Sequence, residues 1–87
     1  MRKRRSKDKV LHEILSICSK GENLTQITYR SNTNVTVVRY FIESLINKGL
    51  LEKINGSPVI YMTTPKGQDF RRRLKVHLDQ MNGVFRD

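Results

Sequence analysis

The 87-residue chain carries 17 Lys and Arg against 8 Asp and Glu, which gives a formal net charge of +9 at pH 7. Its 37% of hydrophobic residues, with only five Gly and two Pro, excludes a disordered or collagen-like polymer. A single domain of this length has a thin core, so we expect support from a second subunit. The excess of bases indicates an acidic partner, with nucleic acid as the leading class.

Several classes of protein are excluded by cysteine usage and hydropathy. The lone cysteine, Cys18, rules out an internal disulfide, and no Cys-x-x-Cys or His-x-x-x-His pair is available for zinc. No apolar run reaches the roughly 18 residues of a membrane span, and residues 10–13 are too polar for a signal peptide. No nucleophile, Gly-rich loop or metal cluster indicates an enzyme. We therefore expect a cytoplasmic protein without membrane contact, cofactor, metal or evident small-molecule ligand.

The positive charge is concentrated at the N-terminus. Residues 1–9 contain six bases and one acid, a net +5, and the other 78 residues contribute +4. Because such a block repels itself and buries nothing, residues 1–7 are predicted to form a flexible basic arm. The arm either aids solubility as a solvated tail or contacts the phosphates or minor groove of DNA, in which case its contacts are Arg2, Lys3, Arg4 and Arg5.

Two helices are predicted in the first third of the chain. Apolar residues at helical spacing predict a helix over 8–20, which Gly21 ends. Cys18 belongs to this apolar stripe and is expected to be a buried structural thiol, whereas His12 faces away from the stripe and is expected in solvent. After a short connection that offers a single residue pair of strand, Asn23 or Thr25 caps a brief second helix that ends near Arg30.

A polar turn and a third helix follow. Residues 31–34 are turn formers, and Asn32 tolerates the left-handed conformation of a tight helix-to-helix turn. Asn34 is the predicted N-cap of a third helix over about 34–48, and Gly49 ends it. Two helices joined by this turn predict a helix-turn-helix. The inward stripe of the third helix comprises Val38, Phe41, Ile42 and Leu45, joined by Val35 and Ile46.

The pattern then changes to that of strands before a last helix. Two β-rich runs, 50–54 and 59–63, flank an Asn-Gly turn that predicts a hairpin. Thr64 is the predicted N-cap of a final helix of about 20 residues that Pro65 opens and that Gly83 can end. The order of elements predicts a mainly α fold with a small β-hairpin (α+β), a winged helix-turn-helix with a long C-terminal helix.

Short motifs between Leu24 and Gly67 support this assignment. They are Tyr29-Arg30 before the turn, Tyr40 in the third helix, Lys48-Gly49-Leu50 at its end, and Tyr61, Thr64, Lys66 and Gly67 leading into the last helix. In these positions the chain resembles the small archaeal winged helix-turn-helix DNA-binding proteins. The resemblance implies DNA binding and a dimer formed by antiparallel pairing of the C-terminal helices.

The last helix carries an apolar stripe that packs either on its own domain or against a second subunit. A helix of about 20 residues spans about 30 Å, which is longer than three short helices and a hairpin can cover. We therefore divide the chain into the arm, a winged helix-turn-helix domain over 8–64 and a dimerisation helix over 65–87. The predicted dimer contacts are Phe70, Leu74, Leu78, Met81 and Phe85.

A helix lying in the major groove presents its N-terminal residues and its outer face to the bases. On that basis the base-reading residues are Asn34, Thr36, Val37, Arg39 and Tyr40. Asn34 serves equally well as a helix cap alone. The predicted backbone contacts are Arg30, Lys53 and the wing residues Asn55 and Ser57, although the short wing has no base at its tip. Because Arg71, Arg72 and Arg73 point in three directions, they either contribute to a binding surface or form a solvated face with Asp69 and Asp79.

The leading hypothesis is a protein that binds duplex DNA, either a sequence-selective transcription regulator or an architectural nucleoid protein that binds non-specifically. With one Arg and neither Gln nor Lys among the base-reading residues, we expect modest selectivity and much affinity from backbone contacts. The alternative from another class is a winged-helix module that docks proteins in a larger assembly.

Overall fold

The computed structural model describes the backbone of residues 6–85 and the side chains of residues 6–81. Three α-helices, one antiparallel hairpin and a long last helix follow one another in the predicted order, which confirms the mainly α fold with a small β-hairpin. The elements are α1 (Lys7–Ile17), a short 3-10 helix (Cys18–Lys20), α2 (Leu24–Arg30), α3 (Val35–Asn47), β1 (Leu51–Ile54), β2 (Ile60–Thr63) and α4 (Pro65–Phe85).

The first helix begins inside the segment predicted as the arm. The Ser6 hydroxyl accepts a hydrogen bond from the Lys9 N–H at 3.1 Å and caps α1. Residues 6 and 7 therefore belong to the domain, and the prediction of a flexible arm concerns residues 1–5, which lie outside the described residues. At the other end the helix tightens into the 3-10 turn and stops at Gly21, whose φ is +92°.

The helix-turn-helix forms through the residues that its sequence predicted. The Asn23 side chain accepts from the Gln26 N–H at 2.9 Å and caps α2. Asn32 takes a φ of +54° in the turn, and Asn34 caps α3 by accepting from the Val37 N–H at 2.9 Å. These short polar side chains satisfy backbone groups that the helix ends leave unpaired, so the turn is fixed locally.

One core joins all the helices to the hairpin. The inward stripe of α3 is fully buried at Val38, Ile42 and Leu45, whereas Val35 remains 42% exposed. Cys18 is also buried, as predicted, and burial, reinforced by the Glu22 carboxylate, raises the pKa of its thiol to about 12. The other core residues are Val10, Ile14, Leu15, Ile27, Leu50, Leu51 and Leu74.

The hairpin packs on the helices through the face that carries Leu51 and Thr63, while Ile60 and Met62 on its other face lie close to Gly21. Leu51 pairs with Thr63 and Lys53 with Tyr61, and the Thr63 hydroxyl donates to the Leu15 carbonyl of α1 at 2.7 Å. Glu22 forms an isolated bridge with Tyr61, which is the single strand pair expected in the connection before α2. The loop over 55–59 is therefore held at the edge of the domain as a short wing.

The last helix, α4, runs antiparallel to α1 and extends beyond the N-terminus of α1. His77 Nε2 lies 3.8 Å from the Asp8 carboxylate, so the start of α1 is level with residue 77 of α4. The helix continues through Gly83 to Phe85, so the interruption suggested at that glycine does not occur. Leu74 is buried in the core and Phe70 packs against it. These two members of the predicted dimer stripe therefore serve their own domain.

The contact between α1 and α4 also corrects the expectation for His12. Its ring is half-buried against α4 instead of lying in solvent. Burial lowers the pKa of His12, and the charges of Arg71 and Lys75 lower it further against the opposing effects of Glu13 and Asp79. A helical wheel of α1 alone could not reveal this neighbour because it comes from the far end of the chain.

A network of hydrogen bonds fastens the C-terminus of α3 to the start of α4. Gly49, with φ of +75°, and Leu50 donate to the Ile46 and Leu45 carbonyls and close α3. The Thr64 hydroxyl donates to the Gly49 carbonyl at 2.7 Å and accepts from the Gly67 N–H at 3.0 Å. Lys66 Nζ donates to the Lys48 carbonyl at 3.1 Å, and the Thr64 N–H donates to Leu50 at 3.1 Å. We refer to residues 48–50 and 64–67 as the α3–α4 junction.

Candidate nucleic-acid interface

The outer face of α3 is a continuous exposed stripe of polar side chains. It lies opposite the buried Val38, Ile42 and Leu45, and each member is three or four residues from at least one other, the spacing that places residues on one side of a helix. The stripe consists of Thr36, Arg39, Tyr40, Glu43 and Asn47. Three predicted base-reading residues, Thr36, Arg39 and Tyr40, therefore share this surface.

The other two predicted base-reading residues occupy different settings. Asn34 is exposed, but its Oδ1 is engaged as the cap of α3 through the Val37 N–H. Its capping role is thus part of the structure, and its amide nitrogen remains a separate group that can donate. Val37 is half-buried at the edge of the stripe, so it has only limited apolar surface to offer.

Tyr40 projects from α3, and its ring is held by a neighbouring aromatic residue. Its side chain is 65% exposed, and its ring packs edge-on against Phe41 with 5.4 Å between ring centroids and 71° between planes. Phe41 in turn packs against the core. This aromatic contact restricts the Tyr40 ring while it leaves the face and hydroxyl accessible to a ligand.

A cleft between α2 and α3 adjoins the stripe and was not predicted. This open depression of about 530 Å³ is lined on one side by Tyr29, which is 79% exposed, and on the other by Val35 and Arg39. A second depression, of about 410 Å³, lies between α2 and the wing and is lined by Gln26, Pro58, Val59 and Tyr61 among others. Leu24 and Thr25 line both, so α2 joins the wing to α3 in one concave surface.

Tyr29, Glu43 and the exposed residues of α2 were thus missed as candidates. The sequence did contain a signal for Tyr29, because this aromatic residue lies off the apolar side marked by Ile27 and has no packing role there. Glu43 could have been found from its spacing of four residues after Arg39. Because DNA is negatively charged, the prediction favoured Arg, Lys and Asn side chains over a tyrosine and a glutamate.

The predicted backbone contacts differ in how free they are. Arg30 Nη1 lies 3.1 Å from Glu22 Oε1, so its guanidinium already has an acidic partner. Lys53, Asn55 and Ser57 are exposed along the hairpin and wing, and Lys53 lies on the same sheet face as Tyr61 beside α2. The four arm residues, Arg2, Lys3, Arg4 and Arg5, lie outside the described residues.

The point at which the arm is attached is nevertheless defined. Lys7 and Asp8 line a small depression together with Ser44 in the last turn of α3 and Lys48 directly after that helix. The chain therefore enters α1 beside the C-terminal end of α3, whereas the wing lies beside α2.

The remaining candidates lie on α4. Leu78 is half-buried beside Lys9 and His12 of α1, and Met81, past the level of α1, is 40% exposed. The Phe85 side chain lies outside the described residues.

The arginine run of α4 has local acidic and polar partners. Asp69 lies 3.9 Å from Arg72 and 2.8 Å from Arg73, and Arg71 Nε donates to the Gln68 side chain at 2.9 Å. Lys75 pairs with Asp79 at 3.3 Å. Arg72 and Arg73 thus lie on an exposed face with ion pairs to Asp69, as in the second alternative, whereas Arg71 is half-buried and bonded to Gln68.

No group of His, Cys, Asp and Glu within residues 6–81 is arranged to hold a metal ion. The described helices include none with both the length and the apolar character that a bilayer crossing requires.

Comparison with known proteins identifies the fold. The structure is similar to the DNA-binding protein Sso10a-2 from Sulfolobus solfataricus, with a TM-score of 0.88 and 21% identity over 93% of this chain and 86% of that one. It also resembles the transcriptional regulator BldR from Sulfolobus solfataricus, with a TM-score of 0.79 and 22% identity over 91% of this chain and 61% of that one. AF1382 from Archaeoglobus fulgidus matches with a TM-score of 0.70 and 22% identity, over 87% of this chain and 90% of that one.

The sequence comparisons differ in outcome. No curated protein sequence matches the chain. A family model described as winged helix-turn-helix matches residues 4–82, which is nearly the whole chain and includes the hairpin and most of α4. The chain therefore belongs to the winged helix-turn-helix family.

Proposed function

We propose that this protein binds double-stranded DNA as a transcription regulator, with α3 in the major groove. The observation that carries the proposal is the exposed polar stripe of α3, on the second helix of a helix-turn-helix and directly opposite the buried face. Such a helix is the element that enters the groove in this class of motif. The net charge of +9 and the similarity to proteins described as DNA-binding or as transcriptional regulators support the same assignment.

The stripe offers a limited set of base contacts. Arg39 reaches guanine or a phosphate, and the Asn34 amide nitrogen can donate to a base acceptor while its oxygen caps the helix. Thr36 and Val37 suit a thymine methyl group, and the half-burial of Val37 restricts it to such a contact. Tyr40 adds a supported ring with a hydroxyl. This chemistry favours modest selectivity with substantial affinity from the backbone.

Backbone contacts in this proposal come from both sides of α3. Lys53, Asn55 and Ser57 approach phosphates or the minor groove from the wing, and Arg2, Lys3, Arg4 and Arg5 do so from the arm. Tyr29 joins them through its exposed hydroxyl beside Arg39. Arg30 contributes only if its guanidinium exchanges Glu22 for a phosphate.

Three variants test the DNA-binding surface. Deletion of residues 2–5 is expected to weaken binding to every duplex and to flatten the salt dependence, because up to four phosphate contacts are lost. Arg39→Ala is expected to change which duplex is preferred. Arg72→Ala removes the same charge from the outer face of α4 and serves as the matched control. Fluorescence anisotropy on labelled duplexes between about 50 and 200 mM salt measures all three.

The same titrations decide between the candidate functions. A regulator binds a selected duplex at least about 1,000-fold better than random DNA. Equal affinity for all duplexes would favour a nucleoid protein that binds DNA non-specifically. Absence of DNA binding at low salt, together with recovery of a protein partner, would favour a module that docks proteins.

We also propose a homodimer formed through α4. The helix passes the start of α1 at residue 77, so its last turns project by on the order of 10 Å at about 1.5 Å per residue. Met81 continues the side of α4 that Leu74 and Leu78 present to the domain and is 40% exposed, and its spacing in the sequence adds Phe85 to the same stripe. The proposed interface is therefore Leu78, Met81 and Phe85, with Phe70 and Leu74 supporting it from the core.

A charged substitution in this stripe can disrupt the dimer without affecting the fold of the domain. Met81→Glu is expected to give a monomer in sedimentation equilibrium, because dimerisation would bury the new carboxylate. Val76, which is 57% exposed on the opposite side of α4, provides the matched control Val76→Glu, which should remain dimeric. A wild-type monomer at high concentration would exclude this interface.

A further inference from the structure

The groove-facing stripe of α3 contains one carboxylate, that of Glu43. It is exposed one helical turn after Arg39 and three residues after Tyr40. Two other acids of the domain are paired, Glu22 with Arg30 and Asp69 with Arg73, whereas Glu52 on the hairpin resembles Glu43 in having no ion pair within residues 6–81. Within residues 6–81, Glu43 has neither an ion pair nor a hydrogen bond through its side chain, although Arg39 is four residues away. Its acceptor oxygens are therefore available to a ligand.

A free carboxylate in this position works against general DNA binding. In the major groove it lies between two rows of phosphates and carries the same sign of charge, so it weakens the binding of every duplex. The penalty is recovered only where a base edge supplies a hydrogen-bond donor to the carboxylate, which is acceptor-only when ionised. Glu43 therefore discriminates among sequences in two ways: its charge is repelled by the phosphates of every duplex, and a hydrogen bond from a suitable base offsets that repulsion.

The major groove offers such a donor most favourably at cytosine. Guanine presents two acceptors, N7 and O6, and thymine presents the O4 acceptor and a methyl group. Adenine has the N6 donor, but its N7 acceptor lies beside it and opposes a carboxylate. Cytosine presents its N4 amino group without an adjacent acceptor on the same base. We propose that Glu43 is a specificity-determining residue that accepts a hydrogen bond from the N4 amino group of cytosine; this role rests on the DNA-binding function proposed above.

A charge-neutral variant and a matched control test this role. Glu43→Gln keeps the size and helix propensity of the side chain, and glutamine pairs with adenine through N6 and N7. Glu52→Gln makes the same change in net charge at an exposed position of β1, on the sheet face opposite Lys53 and Tyr61. Both variants are expected to fold, which circular dichroism checks. Each protein is used to select duplexes from a random pool, and binding to the selected duplexes is then titrated.

The wild type and Glu52→Gln are expected to select a C·G pair at one fixed position. Glu43→Gln should shift that position to adenine and bind random duplex several-fold more tightly than Glu52→Gln does. Replacing the selected cytosine by 2-pyrimidinone, which lacks the amino group, should weaken wild-type binding by about fivefold or more. The same replacement should weaken Glu43→Gln markedly less.

The outcomes separate this inference from the proposed function. Absence of binding by all three proteins to any duplex at low salt would overturn DNA binding itself. If the proteins bind, the role of Glu43 is overturned by a wild type without a preferred cytosine, by an unchanged preference in Glu43→Gln, or by equal sensitivity of both proteins to 2-pyrimidinone.

Discussion

The two ends of α3 are built in opposite ways. At its C-terminus the α3–α4 junction engages the last backbone carbonyls through Gly49, Thr64 and Lys66, and Gly67 packs directly against the Leu50 carbonyl. At its N-terminus a single side chain, Asn34, caps the helix, and the neighbouring Tyr29 and Val35 border an open cleft. One end is closed by the domain itself, and the other is left accessible.

This difference separates the residues that identify the fold from those that face a ligand. The Lys48-Gly49-Leu50 and Thr64-x-Lys66-Gly67 motifs, which carried much of the resemblance, meet at the junction and hold two helices together. These motifs therefore identify the residues that attach α3 to α4. The exposed stripe of α3, which decides what the helix can contact, is largely outside those motifs.

Gly67→Ala is expected to have the largest effect on stability. A Cβ at this position would collide with the Leu50 carbonyl oxygen and lie 2.7 Å from Thr63 Cγ2, and neither neighbour is a flexible chain end. We expect a loss of about 3 kcal/mol or more in the free energy of unfolding, or failure to fold. The control is Gly56→Ala in the wing, where the nearest atom, the Pro58 oxygen, is 3.2 Å away. An unchanged urea midpoint for Gly67→Ala would show that the junction is looser than described.

Thr64→Val should weaken the same junction by less. Valine keeps the branched shape but loses the donor to the Gly49 carbonyl and the acceptor for the Gly67 N–H. The expected cost is about 1–2 kcal/mol in the free energy of unfolding, measured by urea titration. Thr36→Val, on the exposed stripe, is the matched control and should change stability by less than about 0.5 kcal/mol. Equal effects of the two substitutions would remove the contrast between the ends of α3.

At the open end, Asn34 can be changed so that its two roles separate. Asn34→Ala removes the cap and should cost about 1 kcal/mol of unfolding free energy, whereas Asn34→Ser keeps a capping oxygen and should restore most of that stability. Serine lacks the amide nitrogen, so a loss of sequence preference in Asn34→Ser would assign a base contact to that group. Urea titration and duplex selection on the same two proteins measure both properties. Retained preference in Asn34→Ser would leave capping as the role of this residue.

Tyr29→Ala is expected to have the smallest effect on stability, below about 0.5 kcal/mol, because the side chain is 79% exposed. Its effect on DNA affinity should be clearly measurable by anisotropy if the cleft faces the duplex. Phe41→Ala provides the contrast on α3, since that ring packs against the core and its loss should destabilise the domain. A Tyr29→Ala variant with wild-type affinity would place the cleft outside the DNA interface.

The sequence predicted the parts of the fold that depend on local chemistry. Gly21, Asn32 and Gly49 were recognised because positive φ favours glycine or asparagine, and Asn34 and Thr64 because their side chains cap nearby backbone groups. Each of these signals acts within a few residues, so it can be recognised without knowledge of the tertiary structure.

Other features could not be settled from the sequence because they depend on contacts between different elements. The Arg30–Glu22 ion pair, the packing of Phe70 and Leu74 on their own domain, and the burial of His12 against α4 require the positions of other elements. Helical spacing correctly shows that a residue is on an apolar stripe, but it does not identify the surface that covers that stripe. The same limit hid the cleft that exposes Tyr29.

The α3–α4 junction also has a mechanical consequence. Since the last carbonyls of α3 are bonded to the first turn of α4, we expect the two helices to move together as one rigid unit. In the homodimer proposed above, a change in the angle between the two copies of α4 would therefore change the separation of their α3 helices. The distance between half-sites on DNA would then be set by the far end of α4, about 30 Å of helix away from its first turn.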